Sequence, residues 1–186
     1  MYYNVTKERP PAKLLVKALE YVQNREKALD LGSGSLKDSK YLLELGFDVT
    51  AVDKRNGCDD DALLKNEKLH YHIKSFEDFD FENNHFDVIN AMYSLPFINQ
   101  DNFDNVFNNI KMSLKVGGVF CGQFFGKNDS WNINDGKMSF HDEADIRYKL
   151  KGFDIKIFEE VQEDGTTMLG KPKHWHVFHV VAKKLG

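Results

Sequence analysis

The chain has 186 residues and a formal net charge of −4, with 41% hydrophobic and 29% charged residues. A chain of this length most often forms one domain, and this balance of residue types is that of a globular protein. The acidic balance argues against a nucleic-acid partner, because binding to phosphates needs a basic face. No run of about 18 apolar residues occurs, which argues against a membrane span. We therefore expect a single domain over residues 1–186 that binds neither nucleic acid nor membrane.

The cysteines and closely spaced histidines give no metal-site pattern. Cys58 and Cys121 are the only cysteines, and they require no disulfide. His174 and His176 stand two positions apart in a predicted strand, but no third ligand lies near them in the sequence. We therefore predict no metal ion and a reducing, cytoplasmic location.

The first third of the chain predicts a helix, a strand and a second helix. An amphipathic helix follows the proline pair at positions 10 and 11. Residues 27–31 have the apolar composition of a buried strand and lead into a glycine turn. The next helix is predicted to begin with a capping box of Ser35 and Asp38 and to end at Gly46.

The rest of the chain predicts six more strands. They cover residues 47–53, 70–75, 86–92, 117–125, 153–161 and 174–184. A helix follows the fourth strand, and another covers residues 141–151. Strands separated by helices predict a parallel sheet, whereas the last two strands have only a polar loop between them and should pair antiparallel. The expected fold is a doubly wound α/β fold with a seven-stranded, mostly parallel sheet and a C-terminal antiparallel hairpin.

The turn after the first strand has the features of a nucleotide loop. It contains Gly32, Ser33 and Gly34, and the missing Cβ atoms of the glycines let a ligand approach the main chain. Asp53 ends the second strand about 20 positions later, where an acid can accept hydrogen bonds from both ribose hydroxyls. This pattern predicts a ligand with an adenosine group.

Two adenosine ligands use this layout, and the residues after the glycines discriminate between them. A dinucleotide loop has a third small residue, and its helix start faces a pyrophosphate. Here Lys37 takes the place of the small residue, and Asp38 stands at the helix start. S-adenosylmethionine (SAM) carries no phosphate and suits this loop better. Asp30 can supply an acid for its positive charges or can orient the amides of the loop, and the two roles can coexist.

With these features, the chain resembles class I SAM-dependent methyltransferases over nearly its whole length. ALDLGSGS (28–35) resembles their first motif, usually D-L-G-x-G-x-G, and VTAVD (49–53) their acidic second motif. FDVINA (86–91) resembles their fourth strand, while GKPKHWHVFHVVAKK (170–184) is similar to small bacterial members of the tellurite-resistance (TehB-like) group. The resemblance implies a Rossmann-like methyltransferase fold, with SAM as cofactor and S-adenosylhomocysteine as product.

The resemblance also implies roles for single residues around the cofactor. Residues 32–34 would pack against the methionine part, and Asp53 would bind the ribose. Ser75 and Phe76 would flank the adenine, and the carbonyl of Ala91 would meet the amino group.

Two positions depart from the family pattern. Leu36 stands where many members have glycine, and Ser75 stands where many have an aspartate. Arg9, just before the proline pair, is a candidate to bind the carboxylate of the cofactor, with a surface arginine as the alternative.

The acceptor side gives candidates but no catalytic residue. Methyl transfer from a sulfonium is an in-line displacement, and a general base is needed only when the acceptor atom carries a proton. Candidates for the substrate pocket are Tyr93, Phe125, Trp131 and His174. Each of them has a packing role as its alternative.

The sequence thus predicts a cytoplasmic methyltransferase that acts on a small-molecule acceptor. The subgroup resemblance implies soft nucleophiles such as thiols or chalcogen oxyanions. The alternatives are a SAM-binding sensor or scaffold without catalysis and an NAD(P)-dependent oxidoreductase. Neither the acceptor nor the oligomeric state follows from the sequence.

Overall fold

The computed structural model of the chain describes residues 8–186. In this part of the chain eight strands form one sheet: β1 (Lys27–Leu31), β2 (Asp48–Asp53), β3 (Leu69–Ile73), β4 (Phe86–Ala91), β5 (Leu114–Gly126), β6 (Phe140–His141), β7 (Phe153–Thr166) and β8 (Pro172–Lys184). The same residues contain five α-helices: α1 (Lys13–Ala18), α2 (Lys37–Glu44), α3 (Asp61–Leu64), α4 (Gln100–Ser113) and α5 (Glu143–Lys149). None of the helices within residues 8–186 has the length and apolar character needed to cross a bilayer.

The sheet has the order β3-β2-β1-β4-β5-β8-β7, and β6 pairs with the end of β5. Strands β1 to β5 are parallel, whereas β8 runs antiparallel to both β5 and β7. The predicted α/β fold with its C-terminal antiparallel hairpin is therefore confirmed. The strand order reverses between β1 and β4, and open α/β sheets bind ligands at the carboxyl edge of such a reversal.

Two apolar clusters cover the two faces of the sheet. Val88 and Ile89 are neighbours in β4 but belong to different clusters. This follows from the strand period of two, which points successive side chains to opposite faces. Buried residues of α4 and α5 complete one cluster, and those of α1 and α2 complete the other.

The start of α2 differs from the prediction, while its end agrees. The N-cap position is Leu36, and no side chain caps the helix there, so the capping box of Ser35 and Asp38 is wrong. Asp38 instead accepts a hydrogen bond from the backbone N–H of Ala12, 2.8 Å away. Gly46 follows the helix with a φ of 95°, the left-handed conformation expected of a helix terminator.

The helix predicted over residues 141–151 is shorter than expected. It begins at Glu143, because Asp142 and Asp145 form a capping box at its start. His141 does not begin this helix but lies in β6, which pairs with the last residues of β5. At His141, pairing with the sheet therefore overrides the local helical pattern of the sequence.

Candidate functional site

The loop between β1 and α2 packs against β2 and against the loop that follows β4. The backbone N–H groups of Gly32 and Ser33 donate to the carbonyl of Val52, at 2.8 and 3.1 Å. Gly32 has a φ of +73°, and a Cβ atom at this position would lie 2.4 Å from the Cβ of Ser94. Gly32 is therefore required by its backbone conformation and by the contact with the loop after β4.

Asp53 ties the loop to the end of β2. Its Oδ2 accepts the N–H of Gly34 at 2.9 Å, and its Oδ1 accepts the N–H of Arg55 at 3.0 Å. A carboxylate offers about four acceptor positions, so both oxygens keep capacity for the hydroxyls of a ribose. The geometry fits the predicted ribose contact and gives Asp53 a second role, which is to orient the loop.

Leu36 lies in the left-handed backbone region, which glycine adopts without strain. Its φ of 61° and ψ of 19° lie in the left-handed region, which costs leucine about 1–2 kcal/mol. Its side chain is fully buried in the cluster that α1 and α2 complete. Burial of the Leu36 side chain therefore offsets the strain of its backbone.

Asp30 lies beneath the loop and links it to two other elements. Its Oδ2 accepts from the hydroxyl of Ser39 in α2 at 2.5 Å, and its Oδ1 accepts from the amide of Asn90 in β4 at 2.8 Å. Burial, with a further contribution from the Asp38 carboxylate, raises the pKa of Asp30 to about 6. Asp30 thus orients the elements around the loop, and its negative charge develops as the pH rises through this value.

The start of α2 carries a carboxylate that is already engaged. Asp38 accepts from the N–H of Ala12, and the ammonium of Lys37 lies 2.6 Å from its Oδ1. A buried carboxylate at a helix N-terminus disfavours a diphosphate at the same place. This arrangement supports the argument against a dinucleotide.

The segment before α1 passes from the start of α2 toward the β7–β8 hairpin. Nη1 of Arg9 lies 3.1 Å from the sulfur of Met168, in the turn between β7 and β8. The structure thus places Arg9 beside the hairpin turn. Glu8, the start of α2 and residues 58–63 line an open cleft of about 400 Å³.

Two buried hydroxyls lie at the reversal point of the sheet. Ser33 and Ser94 are each 6% exposed, and their Oγ atoms have no hydrogen-bond partner within residues 8–186. A buried hydroxyl without a partner costs about 1–3 kcal/mol, so such groups are usually satisfied by a ligand or water. These hydroxyls follow β1 and β4, at the carboxyl edge of the sheet.

Ser75 and Phe76, predicted to flank the adenine, follow β3, and Ala91, whose carbonyl was predicted to meet the amino group, ends β4. The hydroxyl of Ser75 donates to Oδ2 of Asp78 at 2.7 Å, so a carboxylate stands three residues beyond the position where many family members have one. Phe76 is half-buried against the core. Ala91 is fully buried, and its carbonyl would lie 3.0 Å from a Cβ atom on Gly122.

Tyr93 follows β4 in a strained conformation that a buried glutamine holds. Its φ is 52°, and its side chain is 48% exposed. Its backbone N–H donates to Oε1 of Gln123 at 2.7 Å, and the other amide atom of Gln123 lies 3.3 Å from Nδ1 of His179. Strained residues of this kind concentrate at functional sites. Gln123 and His179 were not predicted as site residues, because their pairing depends on the contact between β5 and β8.

Phe125 and Trp131 belong to an aromatic cluster around a buried lysine. Lys173 forms an ion pair with Asp129, and both side chains are fully buried. The ammonium lies 4.0, 4.4 and 5.0 Å from the ring centres of Trp131, Trp175 and Phe125. Burial lowers the pKa of Lys173. The sequence did not single out Lys173 and Asp129, because their pairing depends on contacts between segments far apart in the chain.

The outer part of this cluster reaches the surface. Phe125 is buried, whereas Trp131 is 36% exposed and Phe97 is 48% exposed. The ring centres of Phe97 and Trp131 lie 6.3 Å apart. These two side chains form an exposed aromatic surface in the loops that follow β4 and β5.

His174 and His176 have different surroundings. Nδ1 of His174 lies 2.7 Å from Oδ1 of Asp164, its partner across the hairpin. His176 is buried, and its Nδ1 accepts from the N–H of Asn128 at 3.1 Å, so Nε2 carries the proton and donates to Glu160 at 2.9 Å. Between residues 8 and 186 no group of three or more potential ligands could hold a metal ion.

A family comparison matches the segment that builds this site. The model of the methyltransferase domain family matches residues 29–122, about half of the chain. This range starts in β1, ends in β5 and contains the glycine loop, Asp53 and Tyr93. No curated protein sequence matches the chain significantly.

Solved structures with the same fold are methyltransferases of low sequence identity. A SAM-dependent methyltransferase from Methanosarcina mazei has a TM-score of 0.69 at 18% identity, over 95% of this chain and 99% of that one. TehB from Haemophilus influenzae has a TM-score of 0.73 at 20% identity, over 92% of this chain and 61% of that one. A Burkholderia thailandensis 1,6-didemethyltoxoflavin-N1-methyltransferase, solved with 1,6-didemethyltoxoflavin and S-adenosylhomocysteine, has a TM-score of 0.65 at 20% identity, over 86% of this chain and 71% of that one.

These structures share the fold, and the family match covers the glycine loop and the acidic end of β2. The chain therefore belongs to the methyltransferase domain family of SAM-dependent enzymes.

Proposed function

We propose that this chain transfers the methyl group of SAM to a small organic acceptor, and that the cofactor lies across the carboxyl ends of β1, β2 and β4. The observation that carries the proposal is the convergence of Asp53 with the unpartnered hydroxyls of Ser33 and Ser94 at this edge. These groups are acceptors or hydroxyls, which suit the ribose and the amino-acid part of an adenosyl ligand without phosphates.

Different residues of the chain would bind different parts of the cofactor. SAM supplies an electrophilic methyl group on a sulfonium. Asp53 accepts the ribose hydroxyls, and residues 32–34 border the methionine part. Asp30 is mostly ionised at pH 7 and favours the positive charges of the ligand through its charge rather than through direct contact. Phe76 and Ser75 flank the adenine.

The acceptor lies, in this proposal, beside Tyr93 and against the aromatic surface of Phe97 and Trp131. An apolar or planar body would cover these two exposed rings. An oxyanion would need free cations, and the buried cation of this region, Lys173, is already paired with Asp129. We therefore favour an organic thiol or nitrogen heterocycle over a chalcogen oxyanion. The similarity to TehB in fold supports a place in the tellurite-resistance group without setting its acceptor.

For this reaction the protein mainly has to position the two reactants and exclude water from the site. The lone pair of the acceptor forms a bond to the methyl carbon while the bond from carbon to sulfur breaks, and S-adenosylhomocysteine leaves. Holding the two reactants collinear supplies most of the acceleration in such a displacement. A base is needed only for an acceptor that keeps its proton at neutral pH.

Calorimetry with matched variants tests the cofactor part of the proposal. Asp53→Asn should weaken S-adenosylhomocysteine binding about 10- to 100-fold, because hydrogen bonds to a charged acceptor are among the stronger ones. Asp48→Asn is the matched control: it lies at the other end of β2 and pairs with Lys27, so it should leave binding unchanged. Binding of NAD in place of SAM, or equal affinity in both variants, would contradict the proposal.

Turnover with a panel of acceptors tests the part of the proposal that concerns the acceptor. Thiols, nitrogen heterocycles and oxyanions are compared, and Trp131→Ala should raise KM for the organic acceptors with little change in the affinity for S-adenosylhomocysteine. SAM binding without turnover of any acceptor in the panel would favour a sensor or scaffold instead.

A further inference from the structure

The direction of each hydrogen bond behind Tyr93 follows from the chemistry of its donors. The backbone N–H of Tyr93 can only donate, so the atom of Gln123 that lies 2.7 Å away is the acceptor Oε1. The amide nitrogen of Gln123 therefore points to Nδ1 of His179, 3.3 Å away. An amide nitrogen can only donate, so Nδ1 of His179 carries no proton and the neutral ring is protonated at Nε2.

The surroundings of His179 favour this neutral form. Gln123 on β5 and Glu159 on β7 stand directly opposite His179 in the sheet. Burial lowers the pKa of His179, the charge of Glu159 opposes this effect, and the charge of Lys17 in α1 adds to it. The net direction is downward, so His179 is neutral at pH 7 and takes up a proton only in acid.

We propose that Gln123 and His179 are positioning residues that hold the Tyr93 loop at the acceptor side of the site, and that protonation of His179 releases this loop. The proton must bind at Nδ1, where it faces the N–H₂ group of Gln123. Rotation of the amide by half a turn removes the conflict, because Oε1 then accepts from His179. The same rotation turns the N–H₂ group toward the N–H of Tyr93, which loses its acceptor.

The hydrogen bond from the Tyr93 N–H to Gln123 helps to hold the loop, because Tyr93 lies in the left-handed region, where a tyrosine needs support from its surroundings. Loss of that support lets the loop after β4 move and misaligns the acceptor with the sulfonium. The consequence for methyl transfer rests on the proposed function, whereas the hydrogen-bond chain does not.

NMR spectroscopy of the labelled protein tests the hydrogen bonds from His179 through Gln123 to Tyr93 without any measurement of activity. The ring of His179 and the backbone amide of Tyr93 should titrate together in the wild type, with one apparent pKa below the ordinary value of histidine. His179→Asn keeps a hydrogen-bond acceptor in the side chain but has no titrating group, so the amide signal of Tyr93 should stay constant across the same pH range. Gln123→Leu should accelerate exchange of the Tyr93 amide at least about fivefold at neutral pH, the effect of one ordinary hydrogen bond.

A matched control separates this coupling from general effects of pH. His70 lies on β3 at the far edge of the sheet and pairs with Asp48, so His70→Gln should leave the titration of the Tyr93 amide unchanged. A Tyr93 amide that titrates equally in His179→Asn would overturn the proposal. So would an amide that stays constant in the wild type while the His179 ring titrates.

Turnover measurements separately test the consequence of His179 protonation for methyl transfer. If the enzyme turns over, kcat should fall in acid with the same apparent pKa in the wild type and not in His179→Asn. If no acceptor is methylated, the NMR titration still decides the hydrogen-bond chain, so failure of the proposed function and failure of this inference are distinguishable.

Discussion

The left-handed leucine in the glycine loop predicts an unusual order of stabilities. In the interior of a helix, replacement of alanine by glycine lowers the free energy of unfolding by about 1 kcal/mol. At Leu36 the alanine keeps a Cβ atom in the left-handed region, whereas glycine has none. We therefore compare alanine and glycine at Leu36 with the same two residues at Leu42, a fully buried leucine of α2 in the same cluster.

The magnitudes follow from the burial and the backbone. Leu36→Ala and Leu42→Ala each remove a fully buried side chain and should cost about 3–5 kcal/mol. Leu42→Gly should cost about 1 kcal/mol more than Leu42→Ala. At Leu36 the relief of about 1–2 kcal/mol of left-handed strain offsets this step. Leu36→Gly should thus be as stable as Leu36→Ala or up to about 1 kcal/mol more stable.

Urea denaturation of the four variants measures these differences, with equal slopes as the sign that the unfolded state is comparable. S-adenosylhomocysteine affinity provides a second readout, because an unchanged loop backbone in Leu36→Gly should keep affinity within about twofold of wild type. An alanine-to-glycine step that costs about 1 kcal/mol at both positions would refute the assignment of strain to Leu36.

Three further predictions concern buried charges and their titration. Lys173→Met leaves the Asp129 carboxylate buried without its partner and should lower the free energy of unfolding by about 3–5 kcal/mol. The Lys173→Met, Asp129→Asn double variant should recover part of this loss. A loss below about 1 kcal/mol for Lys173→Met in urea denaturation would contradict this prediction. Burial lowers the pKa of His141 to about 4, so the stability that its neutral form provides is complete above its ordinary value and is lost as the pH falls toward 4. Relative to His141→Phe, the wild type should therefore lose about 3 kcal/mol between pH 7 and pH 4, and parallel stability curves would count against it. Because burial raises the pKa of Asp30 to about 6, the affinity for SAM should fall about tenfold from pH 7 to pH 5, and Asp30→Asn should abolish this dependence in calorimetry. A dependence that persists in the variant would assign the effect to another group.

The strands and the hairpin were predictable because their signals are local. Apolar runs such as 27–31 and 86–91 are bounded by turns, and the helices between them impose parallel pairing. The hairpin followed from a polar loop with no room for a helix. The family motifs then identified the glycine loop and Asp53, which lie where the sequence placed them.

The parts that sequence reasoning missed depend on contacts between distant segments. Lys173 and Asp129 meet only when β8 packs beside the loop after β5. His141 follows the sheet rather than the helix, because β6 pairs with β5. The predicted cap at Ser35 failed for a local reason, since the left-handed conformation of Leu36 moves the start of α2.

In our proposal, SAM binds across the ends of β1, β2 and β4, with Asp53 at its ribose. A crystal structure of the complex with S-adenosylhomocysteine tests it most directly. We expect both ribose hydroxyls within hydrogen-bond distance of the Asp53 carboxylate, and partners for the hydroxyls of Ser33 and Ser94. A ligand found instead in the cleft beside Glu8 and Lys40, with Asp53 bound only to Gly34 and Arg55 as before, would contradict this binding mode.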